Sequence, residues 1–267
     1  MTEEEILRAL LFFLFAFVPP VVYLVWIRNT EKREREPWGA LAKAFAWGSI
    51  SAILIAVILS TIFVYIYEIG SIRIYESYGR NPTADLLVLS VIIAPLTEEF
   101  AKGIGVYTAR AEINEPEDGL VYGAACGLGF SATENLFYGY IAFLTGGWFT
   151  FIVLIVMRSL ASTLVHASAS SIMGYGIGRS ILWKEHGHVM LYYLGAVAIH
   201  GAFNFVASLG TIYEGIYGAY DPNTIPMHLI ALFMAMIFAA MSIGLMRRKI
   251  MTLESADRKY MPYQNAR

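Results

Sequence analysis

Long apolar runs, separated by short polar or charged segments, make up most of the chain. Each run is long enough to cross a bilayer as a helix, which takes about 20 apolar residues. The pattern therefore predicts an all-α fold, a polytopic membrane helix bundle of about seven transmembrane helices in a single integral membrane domain, residues 1–267. The predicted spans lie at 6–27, 41–67, 85–107, 119–144, 148–178, 188–209 and 225–246.

The composition supports a membrane location and excludes other classes of protein. Hydrophobic residues make up 57% of the chain, charged residues make up 15%, and the mean hydropathy is +0.57. Because a soluble domain carries about 25% charged residues, this chain is too apolar to be one. The charges also form no basic patch, so no nucleic acid partner is expected. The single cysteine, Cys126, permits no internal disulfide.

The distribution of basic residues predicts the orientation, because Lys and Arg prefer the cytoplasmic side of short loops. With the N-terminus outside, fourteen of them fall in inside segments and three, Arg8, Arg73 and Arg80, fall outside. We therefore expect an N-out, C-in, multi-pass protein of the cell membrane, with residues 247–267 as a cytoplasmic tail. Acidic and basic residues alternate at 28–43, and this segment is predicted to be a solvated connection.

Seven charged or histidine residues lie at mid-membrane depth in the predicted spans, where lipid would otherwise be expected. One charge at the centre of a membrane helix costs about 2.5–3.5 kcal/mol. These side chains are therefore expected to pair, bind an ion or contact water in the bundle interior. They are Glu98, Glu99 and Lys102 in the third span, Glu134 in the fourth, Arg158 and His166 in the fifth, and His200 in the sixth.

Several of these residues are spaced four apart, which places them on one face of a helix. The pairs are Glu98 with Lys102, Phe130 with Glu134 and His200 with Asn204, and the fifth span has a stripe of Arg158, Ser162, His166 and Ser170. The first pair predicts an ion pair within one helix. Small residues with the same spacing, Gly123 with Gly127 and Gly174 with Gly178, predict close helix packing.

Two histidines and a carboxylate suit a zinc site that leaves one coordination position for water. The predicted ligands are Glu134, His166 and His200. Glu98 is the predicted base that takes the proton of the water, and Glu99 is the alternative for either carboxylate role. Lys102 would keep Glu98 ionised, and Asn204 would donate a hydrogen bond to the developing oxyanion.

The motifs on the third to sixth spans resemble those of the PrsW family of intramembrane proteases. They are Glu-Glu-x-x-Lys at 98–102, Phe-x-x-x-Glu at 130–134, the lone His166 and His-x-x-x-Asn at 200–204, in a four-helix catalytic core at 85–209. The resemblance implies a peptidase that cuts a membrane-anchored protein substrate in the bilayer, an anti-sigma factor for the namesake of the family. Phe130, next to these groups, is expected to contact the substrate.

A more distant similarity, to the type II CAAX prenyl endopeptidases, does not extend to their function. Glu134 stands where that group has a histidine, and Lys102 replaces an arginine that lies one position later. Removal of a prenylated tripeptide is therefore not expected.

Other hypotheses stay open from the sequence alone. The glutamates could activate water without a metal, and buried Glu, Lys and His also build the relays of proton- or cation-coupled carriers. No internal repeat is visible, although carriers often have one. An inactive scaffold is a third class. Structural roles are the alternative for single residues: an ion pair between helices for Glu98 and Lys102, packing for the histidines and a tie to a carboxylate or to headgroups for Arg158.

Overall fold

A computed structural model describes residues 2–32, 35–184 and 186–260 of the protein. Within these ranges the chain forms ten α-helices and no strand, which confirms the predicted all-α class. The helices are α1 Glu3–Arg28, α2 Trp38–Ala46, α3 Ile53–Tyr78, α4 Pro82–Leu87, α5 Ala94–Val106, α6 Pro116–Leu160, α7 Ser162–Trp183, α8 Val189–Ala207, α9 Leu209–Tyr217 and α10 Thr224–Tyr260.

Five stretches of the described chain are long and apolar enough to cross a membrane. They are Glu3–Arg28, Trp38–Tyr78, Pro116–Trp183, Val189–Ala207 and Thr224–Ser255. The predicted third span, now 82–106, is not among them, because Glu98, Glu99 and Lys102 interrupt its apolar sequence. The membrane bundle is thus confirmed, whereas the count of seven helices and the N-out orientation stay predictions.

The longest of these stretches, Pro116–Trp183, reverses direction at Gly147. The φ of Gly147 is 69°, a left-handed value that glycine adopts without a steric penalty. Phe151 and Ile155 then pack against Gly139 on the preceding segment. The reversal separates the predicted spans 119–144 and 148–178, so a turn without a charged residue joins them.

Two π-helical segments interrupt the long helices of the first half of the chain. Trp47–Ala52 joins α2 to α3, and Val88–Ile93 joins α4 to α5. Such segments are rare and are often found at functional sites. The second one ends five residues before Glu98, in the helix that carries three of the buried ionisable groups.

The bundle is apolar on the outside and polar within, as a bilayer requires. On α3, for example, Leu54, Ile58 and Ile66 are each at least 57% exposed, and only Ala56 and Ser71 are buried. In contrast, Glu99 and Lys102 on α5 have no exposed surface. Because water does not surround α3 in a membrane, its exposed apolar side chains indicate contact with lipid.

Close approach of α6 and α7 depends on glycine, which confirms the predicted packing of small residues. A Cβ atom at Gly127 would lie 2.3 Å from the backbone oxygen of His166, and one at Gly174 would lie 2.0 Å from that of Gly119. Any larger residue at Gly127 would therefore displace the backbone that carries His166. The same packing sets the distance between Glu134 on α6 and His166 on α7.

The described part of the α1–α2 connection is packed against the bundle, and two of its acidic groups are not solvated as the alternating charges suggested. Glu31 and Glu36 are each only 3% exposed. The first part of the predicted cytoplasmic tail is helical, because α10 extends to Tyr260. There Arg247 donates to Thr30 Oγ1 at 2.9 Å, and Glu254 accepts from the Lys32 backbone at 2.8 Å. Residues 261–267 of that segment lie outside the described residues.

Candidate active site

Four helices bring the ionisable residues of the membrane spans into one cluster, which we call the central cluster. The cluster consists of Glu98, Glu99 and Lys102 on α5, Glu134 on α6, His166 on α7 and His200 on α8. The structure thus brings together every charged or histidine side chain that the sequence assigned to catalysis or metal binding. Arg158, for which a structural role was the alternative, contacts the same cluster.

Lys102 lies at the centre of these groups and is fully buried. Its Nζ is 3.2 Å from Glu98 Oε2, 2.8 Å from Glu99 Oε1 and 2.9 Å from His166 Nδ1. The predicted ion pair with Glu98 is present, but Lys102 also compensates the charge of Glu99. Phe130 closes the site, since its ring centroid is 4.2 Å from Nζ.

Glu99 holds His200 in a defined orientation. Its Oε1 is 2.9 Å from His200 Nδ1, and its Oε2 accepts a hydrogen bond from Ser170 Oγ at 2.8 Å. A carboxylate on one ring nitrogen fixes the proton there and leaves the lone pair of the other nitrogen free to bind a metal. That other nitrogen, His200 Nε2, is 3.9 Å from Glu98 Oε2.

Glu134 is held by partners on the fifth span. Its Oε2 is 2.8 Å from His166 Nε2 and 3.0 Å from Arg158 Nη2. Arg158 also donates from Nε to Asn135 Oδ1 at 2.7 Å. Arg158 therefore ties its span to a carboxylate, which is the structural role that the sequence suggested as an alternative. Asn135 was not singled out in the sequence, although its position beside Glu134 on a buried helix was a signal.

One set of potential ligands in this cluster has the dimensions of a metal site. Atoms of Glu98, His166 and His200 all lie within 4.8 Å of one another, and all three residues are buried. Ligands of tetrahedral zinc lie about 3.4 Å apart, since zinc bonds to N and O are about 2.0–2.2 Å long. A small contraction of this set would suffice. Glu134 is outside it, which differs from the ligand set expected from the sequence.

His166 fits a metal less readily than the other two ligands. Its Nε2 contacts Glu134 and its Nδ1 contacts Lys102, so both ring nitrogens have partners. To bind a metal through Nδ1, His166 would have to lose the contact with Lys102. The ammonium group of Lys102 would keep a partner after losing His166, because it also contacts Glu99.

Two further predicted site residues, Asn204 and Phe130, have neighbours that the sequence did not reveal. Asn204 Nδ2 donates to the backbone oxygen of Ser90 at 2.7 Å, which ties α8 to the π-helical segment before α5. Asn204 also lines a cleft of about 250 Å³ together with Arg158, Ser162 and His228. Phe130 is 2% exposed and packs on His166, with ring centroids 5.6 Å apart.

Comparisons with known proteins identify a protein family. Residues 36–241 match the family described as PrsW family intramembrane metalloprotease. Among similar proteins, Protease PrsW of Clostridioides difficile (strain 630) is 24% identical over 206 residues, which cover 73% of this chain and 78% of that protein. Protease PrsW of Geobacillus kaustophilus (strain HTA426) is 28% identical over 193 residues, 70% of this chain and 76% of that protein. No solved structure matches the chain.

Proposed function

Because the chain belongs to the PrsW family of intramembrane metalloproteases, we propose that its central cluster hydrolyses a peptide bond of a membrane-anchored protein. A membrane protease is what the family and the relatives support. The substrate and the roles of the residues belong to the proposal. The observation that carries it is the buried set of Glu98, His166 and His200 on three different helices. No observation favours the carrier hypothesis.

Glu98, His166 and His200 are the proposed metal ligands. Zinc suits two imidazoles and a carboxylate, and it would supply the Lewis acidity that polarises a carbonyl group and acidifies water. Glu99 orients His200 through Nδ1, and Lys102 balances the charges of Glu98 and Glu99. This assignment exchanges the roles that the sequence suggested for Glu98 and Glu134.

Glu134 is the proposed general base. Its side chain is 17% exposed, whereas that of Glu99 is fully buried, so Glu134 is the more accessible to water. Arg158 contacts Glu134 and also lines the 250 Å³ cleft, which is the proposed route of a peptide to Glu134. Glu134 takes the proton of the attacking water and then gives it to the amine that leaves when the peptide bond breaks.

Asn204 and Phe130 complete the proposed site. Asn204 lies on the wall of the same cleft, where an amide N–H can donate to the oxyanion after it releases Ser90. Phe130 packs against Lys102 and His166 and is buried, so contact with substrate would require it to move. A membrane-anchored signalling protein of the anti-sigma-factor kind is the proposed substrate class.

Metal analysis of variants tests the ligand assignment. We expect about one zinc per chain in the detergent-purified wild type and in Glu134→Gln, and loss of zinc in Glu98→Gln and His200→Ala. Glu76→Gln, an exposed site on α3, is the matched control. Zinc lost from Glu134→Gln but kept by Glu98→Gln would restore the ligand set expected from the sequence. A wild type without zinc would contradict the metal mechanism.

Peptidase activity needs its own readout, because the substrate is not identified. Membranes of cells that express the wild type or Glu134→Gln are compared by mass spectrometry of new protein termini. We expect termini within or beside transmembrane segments that depend on Glu134 and persist in Glu76→Gln. If the wild type and Glu134→Gln produce the same termini, Glu134 is not the base.

A further inference from the structure

A second buried group of acidic side chains shares no residue with the central cluster. We call it the loop cluster: Glu31 and Glu36 from the α1–α2 connection and Asp118 from the first turn of α6. One oxygen atom from each carboxylate lies within 4.8 Å of the other two. Exposures are 3% for Glu31, 3% for Glu36 and 2% for Asp118, so water does not separate these charges.

Two members of the loop cluster have partners that hold them in place. Asp118 Oδ2 accepts backbone hydrogen bonds from Asn114 at 2.7 Å and Glu115 at 2.8 Å. The hydroxyl group of Tyr122, one turn further along α6, donates to Glu36 Oε2. These bonds fix two carboxylates near the N-terminus of α6, and the side chains of Glu36 and Asp118 also contact each other.

Glu31 has no such partner. Both of its carboxylate oxygens are buried and accept no hydrogen bond of ordinary geometry, although the backbone N–H of Glu36 lies near them. Among the described residues, neither Glu31 nor Glu36 forms an ion pair. The two nearby arginines are used differently: Arg28 donates to the backbone oxygen of Glu36, and Arg35 donates to that of Glu31. A buried carboxylate without a partner is costly, so a positive charge beside Glu31 would stabilise the folded protein.

We propose that the loop cluster binds a divalent cation through Glu31, Glu36 and Asp118. The donors are all oxygen atoms, which suits hard cations such as Ca²⁺, Mg²⁺ or Mn²⁺ rather than zinc. Oxygen ligands of one Ca²⁺ lie at most about 5 Å apart, because Ca²⁺ to oxygen distances are about 2.3–2.6 Å. The spacing of 4.8 Å or less meets that limit.

A cation at this place joins two parts of the fold directly, and a third part, α10, packs against one of them. Glu31 and Glu36 belong to the α1–α2 connection, and Asp118 begins the helix that carries Glu134. The same connection contacts α10, through Lys32 with Glu254 and Thr30 with Arg247. In the predicted orientation this end of the bundle faces the cytoplasm. The site therefore stabilises the ends of α1, α2, α6 and α10, and it does so independently of the proposed peptidase chemistry.

Direct binding of Mn²⁺ to the full-length protein in detergent tests this site. After chelation and buffer exchange, we expect electron paramagnetic resonance to report about one bound Mn²⁺ per chain, displaced by Ca²⁺ or Mg²⁺. Displacement by one and not by the other identifies the preferred cation. Glu31→Gln and Asp118→Asn should each weaken binding about tenfold or more. Glu112→Gln, an exposed acidic residue at the same end, is the matched control.

The His200→Ala variant separates this site from the central cluster, because it should bind Mn²⁺ like the wild type. Absence of Mn²⁺ binding by the wild type would overturn the proposal and would indicate that the carboxyl groups share protons instead. Binding that survives Glu31→Gln and Asp118→Asn would overturn it as well. If one of these variants does not fold, the other and the wild type still decide the outcome.

Discussion

The protein buries two groups of carboxylates, and it compensates them in opposite ways. In the central cluster, Glu98, Glu99 and Glu134 contact Lys102, Arg158 or a histidine. In the loop cluster, among the described residues, the carboxylates of Glu31 and Glu36 form no ion pair, and the nearby Arg28 and Arg35 donate to backbone oxygens instead. Glu98 and Glu99 are buried like the acids of the loop cluster. The two clusters therefore differ in the basic side chains that neighbouring helices place beside the carboxylates. The first cluster is balanced by the chain, and the second is proposed to be balanced by an ion.

The comparison shows why a buried acid does not by itself identify an active site. The proposed catalytic cluster needs carboxylates that are oriented and balanced by positive charge, and Lys102 on α5 and Arg158 on α6 contact Glu98 and Glu134. A structural cation site needs several carboxylates close together with free oxygen atoms. The relevant observation is therefore which partners surround each acid.

Removal of Lys102 is expected to have the largest effect, because it would make the central cluster resemble the loop cluster. Lys102→Met leaves Glu98 and Glu99 without their buried cation and should destabilise the protein by about 3–5 kcal/mol. Thermal unfolding in detergent micelles measures the change. Lys43→Met, at an exposed position of α2, is the matched control. A second change, Glu99→Gln, should restore part of the loss, and equal stability of wild type and Lys102→Met would refute the charge balance described above.

Removal of Arg158 should have a smaller effect, since this side chain is 17% exposed and water can replace part of the interaction. Arg158→Met deprives Glu134 and Asn135 of their donor, and we expect about 1–3 kcal/mol of destabilisation. Arg158→Lys should recover only part of it, because an ammonium group cannot reproduce both contacts. Arg73→Met on α3 serves as control. Zinc content should not change, since Arg158 contacts the proposed base and not the proposed ligands.

The smallest effect is expected in the loop cluster, where Glu31→Gln should be tolerated when divalent cations are absent. Burial, followed by the charge of Asp118, raises the pKa of Glu31 from 4.5 to about 8. The folded protein therefore keeps a proton that the unfolded chain loses, so the contribution of Glu31 to stability falls as the pH rises between about 4.5 and 8.

Chelated samples that are unfolded thermally across this pH range give the measurement. The wild type should lose stability relative to Glu31→Gln as the pH rises, and added Ca²⁺ should reverse the order at pH 8. Parallel curves for the two proteins would contradict the shifted pKa. Glu112→Gln should follow the wild type with and without Ca²⁺.

Much of the central cluster could be predicted from the sequence, because charges in apolar helices are conspicuous and four-residue spacing is a local property. Glu98 with Lys102 is an example, since both belong to α5. The choice between Glu98 and Glu134 as the ligand beside the histidines could not be predicted. It depends on how α5, α6, α7 and α8 are rotated and on how closely they pack, and glycine contacts such as Gly127 with His166 set that packing.

The loop cluster was hidden from the sequence for a related reason. Glu31 and Glu36 stand among basic residues, a pattern that is typical of a solvated connection, and Asp118 lies more than eighty positions away. Only the packing of the α1–α2 connection onto α6 buries the three carboxylates together.

The sequence by itself determined the membrane-embedded helical fold, the PrsW-like motifs and the side chains proposed for the site. Hydrophobic length and helical periodicity are local properties, and they are read directly from the order of residues. The tertiary structure decided which of those side chains touch. Contacts between helices depend on the rotation, tilt and distance of the helices. A shift of any one helix by one turn would give the same residues different partners and therefore a different chemistry.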